Sequence, residues 1–282
     1  VLRLLDTSNS IYSLERLGMN EKDRNNLEKM IVKPFGMILS TGPTGSGKST
    51  SLYSILKKIN QPDVHVITVE DPVEYRIEKI RQVQLNRKAG MTFASGLRSI
   101  LRQDPDVIMV GEIRDSETAS LAVQAALTGH MVFSTLHTND ASGAITRFID
   151  MGIEPFLVSS TMTVSFAQRL VRKVCPNCMA NYKPSKEALN AWGINNTAKA
   201  NFVQGKGCFN CMHTGYKGRT GVYEVMTIDD EIKDLILKRQ SSHTIHQTAL
   251  KSGNFTSLKD NAAEKAIKGI TTLEEAASAV LL

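Results

Sequence analysis

The chain has 282 residues, of which 41% are hydrophobic and 22% charged, the composition of an ordinary globular protein. Its length allows about two domains of roughly 150 residues each. It has no apolar run of the ~18 residues that a membrane span needs and no signal peptide, so we expect a cytoplasmic protein by default. It begins without Met in a strand-like run, and we expect a piece of a longer protein.

The net charge of +6 is concentrated in one segment. Between Ser165 and Thr220, nine basic residues stand against one acidic residue, so the rest of the chain is slightly acidic. Such a segment indicates an acidic partner, an anionic membrane surface or nucleic acid. A solvated basic surface without a partner is the alternative.

Taken in chain order, residues 1–20 are expected to be the tail of a preceding domain and a linker, with a loop at residues 6–10. Asn20–Asp23 supplies N-cap candidates for a helix that carries Leu27, Met30 and Ile31. Pro34 marks the end of this helix and the entry to the first core strand.

A phosphate-binding loop follows. The apolar run Met37–Leu39 predicts a strand, and apolar residues from Leu52 to Ile59 recur at helical spacing. Between them the chain fits G-x-x-x-x-G-K-[ST], the motif whose backbone N–H groups surround phosphates, with Lys48 reaching the β- and γ-phosphates and Ser49 holding Mg²⁺. A merely glycine-rich turn is the alternative, but it does not explain the strand–loop–helix context. The predicted nucleotide-binding residues are Gly42, Pro43, Thr44, Gly45, Ser46, Gly47, Lys48, Ser49 and Thr50.

Three further apolar strands each end in polar residues, and strands alternating with helices predict a largely parallel α/β sheet. The predicted strands are His65–Val69, followed by Glu70, Asp71 and Glu74; Asp106–Val110, followed by Glu112; and Met131–Leu136, followed by His137. Because ligands bind at the carboxyl ends of such strands, we expect the acidic residues Glu70, Asp71 and Glu74 to lie in the ligand crevice.

Glu112 is the candidate to polarise an attacking water and to orient the Mg²⁺ shell, the alternative being a surface glutamate. Arg98 and Arg102 are four residues apart, so a helix would place both on one face. They and Arg114 are surface charges or suppliers of transition-state charge, often from a neighbouring subunit. His130 and His137 flank one strand with poor metal geometry, so composition alone favours structural histidines.

Beyond Ser142 the pattern turns helical and continues, by our prediction, through Val158–Val171. Four cysteines follow as two C-x-x-C pairs, with twenty-nine residues between the pairs that include Trp192 and Gly193. This pattern fits a structural tetrahedral zinc site; disulfides are the alternative and are disfavoured in a cytosolic protein. The ligands would be Cys175, Cys178, Cys208 and Cys211. The C-terminal part is predicted to be helical, with Leu273, Ala276, Ala277 and Val280 on one face.

The phosphate loop, Thr68–Tyr75, Gly111–Asp115, Ser134–Asn139 and the paired C-x-x-C occur in an order that resembles the secretion-superfamily ATPases. Within them the chain is most similar to the hexameric ATPases of type IV pilus assembly and type II secretion. The resemblance covers about residues 1–282 and its combination of motifs is specific. The zinc module places the chain with extension and secretion motors rather than with retraction motors.

The resemblance implies site residues. Glu112 takes the position of the catalytic carboxylate, Glu74 that of an acidic residue near the γ-phosphate, and His137 that of a γ-phosphate sensor. Arg98 and Arg102 fall in a stretch where family arginines act near a nucleotide site. The implied cofactors are ATP, Mg²⁺ and Zn²⁺. Family members carry further N-terminal domains, so a fragment without their arginines is expected to hydrolyse ATP poorly.

The resemblance also implies a RecA-like phosphate-loop core with an inserted Cys₄ zinc module and a helical C-terminal subdomain. The implied protein is a homohexamer on the cytoplasmic side of the bacterial inner membrane, acting with a platform protein and in contact with an anionic membrane surface. One rival is a ring motor acting on nucleic acid, but the chain has no basic groove interleaved with aromatic residues. Another is an adaptor that binds ATP without turnover. The predicted divisions are a remnant at 1–20, a core at 21–165, the zinc module with a flanking helix at 166–220 and the helical subdomain at 221–282.

Overall fold

A computed structural model describes residues 13–195, 197 and 200–280. The predicted loop at residues 6–10 lies outside them. The described strands are β1 (Gly36–Thr41), β2 (Val66–Glu70), β3 (Arg81–Gln84), β4 (Val107–Val110), β5 (Met131–Leu136), β6 (Met162–Val174), β7 (Met179–Asn181), β8 (Val203–Gly205) and β9 (Tyr216–Thr227).

The described helices are α1 (Glu21–Ile31), α2 (Lys48–Ile59), α3 (Phe93–Ile100), α4 (Ser116–Leu127), α5 (Ala141–Asp150), α6 (Pro155–Thr161), α7 (Lys186–Trp192), α8 (Asp230–Leu237), α9 (Ser242–Lys251), α10 (Leu258–Ile267) and α11 (Leu273–Val280). Among the described residues, no helix is both long enough and apolar enough to cross a membrane.

A seven-stranded sheet in the order β3-β2-β4-β5-β1-β6-β9 organises the chain. All neighbouring strands in it are parallel except β6 and β9. β7 and β8 form a separate antiparallel pair. The predicted α/β class is therefore confirmed. Since β4, β5 and β1 are parallel neighbours, the residues that follow them meet at one edge of the sheet.

The sheet has an apolar core on each face, so both faces of β1 are buried. Ile38 belongs to the core under α1 and α2, whereas Met37 and Leu39 belong to the opposite core. That second core also contains residues of α3–α6 and of the C-terminal helices. Near-continuous apolar runs such as Val107–Val110 are what a strand covered on both faces requires.

The predicted start of the first helix is confirmed. The Asn20 side chain accepts a hydrogen bond from the Asp23 backbone N–H and begins α1. Leu273 and Ala276 of α11 are buried, and Ala277 and Val280 pack against the same core.

The predicted helix over Val158–Val171 is wrong after Thr161. α6 ends there, and β6 continues for 13 residues. An apolar run of this length fits the periodicity of a helix as well as that of a strand, and here pairing with the two flanking strands selects the strand conformation. β6 pairs with β1 on one side and with β9 on the other, which supplies backbone partners along its length.

The prediction that Arg98 and Arg102 share a helix face is also wrong. α3 ends at Ile100, and Arg102 lies in the turn that follows. Asp104 in this turn has a positive φ of 50°, and Pro105 comes next, so the helix cannot continue.

The two long strands also cross the predicted divisions at 165/166 and 220/221, since β6 and β9 belong to the main sheet. The element predicted to flank the cysteines as a helix is therefore β6, although the insertion does contain a short helix, α7. At the other end, residues from position 14 pack on the core, with Leu14 and Leu17 buried. The Gly221 N–H donates to the Leu17 carbonyl at 3.0 Å.

Candidate nucleotide site and metal centre

The phosphate loop joins β1 to α2 at the carboxyl edge of the sheet. Gly42, Gly45 and Gly47 have φ of 143°, 80° and 92°, which residues with a Cβ rarely adopt. Pro43, Thr44 and Gly45 are exposed, and a Cβ at Gly45 would meet nothing within 4 Å. The loop is thus open to solvent at the N-terminus of α2, where backbone N–H groups and the helix dipole favour an anion.

Lys48 is the first residue of α2, and only 8% of it is exposed. Its Nζ donates to the carbonyls of Gly42 at 2.6 Å and Pro43 at 3.0 Å. Burial lowers the pKa of Lys48 to about 8; the Glu112 carboxylate opposes this shift, and the Arg169 guanidinium adds to it. The ammonium is therefore held on the loop, close to where a phosphate would bind.

Glu112 lies two residues beyond β4 and is contacted from both sides. Its Oε2 is 3.3 Å from His137 Nε2, and its Oε1 is 2.6 Å from an Arg114 guanidinium nitrogen. The carboxylate is 14% exposed, whereas His137 is 48% exposed. Since β4 and β5 are neighbours, these two predicted residues meet at the sheet edge next to the phosphate loop.

The acidic residues after β2 differ in their surroundings. Glu70 is buried, and its carboxylate accepts hydrogen bonds from Tyr53, Thr68 and Gln82. Asp71 pairs with an exposed arginine, Arg87. Glu74 is half-buried, and its backbone N–H lies 3.3 Å from the Tyr53 hydroxyl. Glu70 is thus engaged within the fold, while Glu74 is accessible to solvent.

The four cysteines converge at the distal end of β6 and β9. Their Sγ atoms all lie within 4.8 Å of one another. Cys175–Cys208 and Cys178–Cys211 are 3.8 Å apart, and Cys208–Cys211 are 3.7 Å apart. These distances are far above the ~2.05 Å of a disulfide. Tetrahedral zinc with Zn–S of about 2.3 Å would place sulfurs about 3.8 Å apart, so the four thiols fit such an ion.

The intervening residues fold into a small unit around this cluster. It consists of β7, α7 and β8, with Trp192 buried and Gly193 closing α7 in a left-handed conformation. The Gly215 N–H lies 3.3 Å from Cys211 Sγ, and the Cys175 N–H donates to the Gly215 carbonyl at 2.9 Å. The predicted insertion containing Trp192 and Gly193 is confirmed.

A family model described as "Type II/IV secretion system protein" matches residues 1–278. The chain belongs to this family.

Curated relatives agree with this assignment. The chain is 50% identical over 275 residues to the type II secretion system protein E of Pseudomonas aeruginosa, covering 98% of this chain and 54% of the relative. It is 49% identical over 277 residues to the type IV pilus assembly ATPase PilB of Thermus thermophilus, covering 98% of this chain and 31% of the relative. The chain therefore spans about half the length, or less, of these relatives.

Solved structures support the fold. A crystal structure of the pilus retraction motor PilT with bound ADP matches with a TM-score of 0.72 and 30% identity, covering 98% of this chain and 68% of that one. The ATPase DotB of Legionella pneumophila matches with a TM-score of 0.67 at 24% identity, covering 95% of this chain and 64% of that one, which supports the fold alone. The chain has the RecA-type architecture of secretion ATPases.

Arg98 and Arg102 of this secretion-family chain lie away from its own phosphate loop. α3 packs on β2, β4 and α4, at the side of the sheet remote from β6. Arg98 is exposed and pairs with Glu117, and Arg102 is exposed. The chain does not bring either arginine to its own phosphate loop.

His130 makes a contact within the fold, as composition alone predicted. Its Nδ1 lies 2.9 Å from the Ala125 carbonyl at the end of α4, at the opposite end of β5 from His137. This contact is a structural one.

Sequence reasoning missed two residues of β6 beside the loop. Gln168 is buried and donates to the Ser46 carbonyl at 2.6 Å. Arg169 is half-buried and donates to the Asn139 carbonyl at 3.0 Å, within the loop that follows His137. Both residues were missed because this segment was predicted to be a helix, and no motif in the single sequence indicates their role.

Proposed function

We propose that the chain is the ATP-hydrolysing motor part of an ATPase that powers assembly of a type IV pilus or of a type II secretion pseudopilus. One observation carries the catalytic claim: the phosphate loop after β1 lies on the same sheet edge as the Glu112–His137 pair after β4 and β5. The order β4-β5-β1 makes these segments neighbours. The family membership supports the cellular role.

Each residue then has a task in hydrolysis. The loop backbone and Lys48 bind the phosphates of ATP, and Ser49 contributes a ligand to Mg²⁺, which would neutralise the charge that develops on the phosphates. Glu112 accepts a hydrogen bond from the attacking water and orients it. His137, held against Glu112, contacts the γ-phosphate and reports its presence. Glu74 is the second acidic residue near that phosphate.

Assembly into a homohexamer completes the site. Arg98 and Arg102 are exposed and lie away from the chain's own loop, so they can serve the nucleotide site of a neighbouring subunit. Arginines supplied in trans stabilise the transition-state charge of phosphoryl transfer. Hydrolysis would rotate domains within the ring and so deliver work to an inner-membrane platform protein from the cytoplasmic side.

The Cys₄ cluster is proposed to hold one structural zinc ion. Four thiolates fill a tetrahedral shell, which leaves no position for water or substrate, so the metal would stabilise the module and take no part in hydrolysis. The sulfur spacing supports this role.

The zinc module presents a surface suited to docking. Phe209 and Met212 beside the cysteines are 90% and 87% exposed, an unusual exposure for large apolar side chains. Lys206 and Lys217 in the same module are exposed as well. Apolar and basic groups together fit the platform protein's acidic loops or an anionic membrane surface.

The test uses the full-length protein. It should release phosphate from ATP. Lys48→Ala should abolish nucleotide binding, because it removes the ammonium that contacts the phosphates and leaves the carbonyls of Gly42 and Pro43 without their hydrogen-bond donor. The exposed Lys57 of α2 provides the matched control, and Lys57→Ala should bind ATP like the parent. Undiminished binding by Lys48→Ala would refute the proposed site.

The two rivals make different predictions. A nucleic-acid motor would bind DNA or RNA with an affinity that falls steeply with salt; we expect no such binding. An adaptor would bind ATP without steady-state turnover by the full-length ring. Either result would replace the motor proposal.

A further inference from the structure

Gln168 stands out among the buried polar side chains that the proposed mechanism does not use. It lies on β6, next to β1, one residue beyond the register pair Thr41–Ala167. At this level β1 has given way to the phosphate loop. The side chain is 1% exposed, so its amide is committed to contacts inside the protein.

The residue contacts the phosphate loop at two places. Its Nε2 donates to the Ser46 carbonyl at 2.6 Å. A Cβ on Gly47 would lie 2.8 Å from this nitrogen, and a Cβ on Gly42 would lie 2.6 Å from the Gln168 carbonyl. The Oε1 atom has no partner among the described residues, so the bond to Ser46 decides the orientation of the amide.

The strand partner of Gln168 holds the following helix in the same way. Tyr223 pairs with Gln168 across β6 and β9, and its hydroxyl lies 3.1 Å from Ser51 Oγ in the first turn of α2. Tyr223 is buried, as is Ser51. Two neighbouring side chains of the β6–β9 pair therefore hold the loop and the start of α2.

The bond to Ser46 has a geometric consequence. In a planar trans peptide, the carbonyl and the N–H of the next residue point in opposite directions. When the Ser46 carbonyl is held toward Gln168, the Gly47 N–H points away from β6. Gly47, which has a left-handed φ of 92°, directly precedes the first residue of α2.

We propose that Gln168 is a positioning residue that fixes the Ser46–Gly47 peptide so that the loop's N–H groups are preset for the phosphates of the nucleotide. The inference rests on the proposed nucleotide-binding function and adds a residue to it. Gln168 does not touch the nucleotide; it acts through the loop. Substitution of Gln168 leaves Lys48 and Glu112 in place but lets the Ser46–Gly47 peptide rotate. It therefore weakens nucleotide binding more than it slows the hydrolysis step.

The test compares Gln168→Met, which keeps the length but cannot donate, with Gln168→Glu, whose carboxylate repels the Ser46 carbonyl. Gln204 on β8 is exposed, and Gln204→Met is the matched control. In the full-length protein, Gln168→Met should raise the Kd of a fluorescent ATP analogue about 10-fold, the effect of one lost orienting hydrogen bond. We expect kcat at saturating ATP to stay within about 2-fold, and Gln168→Glu to bind more weakly still.

A second readout needs no turnover. Without nucleotide, backbone amides at 45–48 should exchange hydrogen faster in Gln168→Met than in the parent, while the melting temperature changes little. Parent-like affinity in Gln168→Met would overturn the inference while leaving the proposed function intact. So would a kcat that falls as far as the affinity together with a lowered melting temperature, since that pattern marks a general structural defect. A parent protein that fails to bind the analogue would overturn the proposed function itself, and this inference with it.

Discussion

The buried ammonium of Lys48 predicts how nucleotide binding depends on pH. Burial lowers the pKa of Lys48 to about 8, from the ordinary lysine value of 10.5. Only the protonated form attracts phosphates, and bound phosphates would keep it protonated. The protonated fraction in the free protein falls from about 90% at pH 7 to about 10% at pH 9, so the apparent Kd for ATP should rise about 10-fold over this range.

The assay is a titration with a fluorescent ATP analogue at several pH values, under constant ionic strength. Lys48→Arg supplies the decisive comparison, because a guanidinium stays charged throughout and the pH dependence should disappear. Lys265 is the control: burial also lowers its pKa to about 8, but its Nζ contacts the Gly18 carbonyl. Lys265→Arg should therefore keep the 10-fold change. A pH-independent Kd in the parent, or a pH-dependent Kd in Lys48→Arg, would refute the reasoning.

Three other predictions follow from the site, the metal centre and a buried carboxylate. Rings that mix Arg102→Ala with Lys48→Ala subunits should hydrolyse ATP faster than rings of either variant alone, because the two defects can fall on different sites; mixed rings no faster than their parents would count against a role in trans. Changing Cys175 and Cys178 together to Ser should release about one zinc per chain by metal analysis and loosen the module, with nucleotide affinity unchanged; a parent without zinc would end this prediction. Burial raises the pKa of Glu224 from 4.5 to about 7. Between these two pH values the folded protein holds a proton that the unfolded chain has released. The free energy of unfolding should therefore fall by up to about 3 kcal/mol as the pH rises from about 4.5 to above 7. Urea denaturation should show Glu224→Gln gaining stability relative to the parent between pH 5 and 8, and a constant difference would contradict the assignment.

Much of the fold could be predicted because its signals are local. The phosphate loop needs particular residues at fixed spacing, and the strand and helix around it are written in adjacent apolar patterns. Polar residues that follow parallel strands converge for a topological reason, so the acidic residues after β2 could be assigned to the ligand crevice without a structure. His137 was assigned to the nucleotide site only through the family resemblance. The thiol cluster was visible in the spacing of its two pairs.

The wrong assignment of β6 has a different origin, since it concerns contacts between distant parts of the chain. β6 was mistaken for a helix because its two partner strands, which decide its conformation, are not visible in a local pattern. The role of Gln168 on β6 was missed for the same reason, because its contact with Ser46 spans 122 positions in the sequence. Within the acidic cluster, only the structure shows that Glu70 is bonded to Tyr53, which separates it from the accessible Glu74.

The central claim is that Glu112 activates the water that attacks ATP, and one substitution tests it directly. Glu112→Gln keeps nearly the same shape but carries no charge and cannot accept a proton. In the full-length protein, steady-state phosphate release should fall by roughly 100-fold or more while the Kd for ATP stays close to that of the parent. Glu231→Gln, at an exposed position of α8, should hydrolyse ATP normally. Phosphate release by Glu112→Gln at the parent's rate would contradict the account.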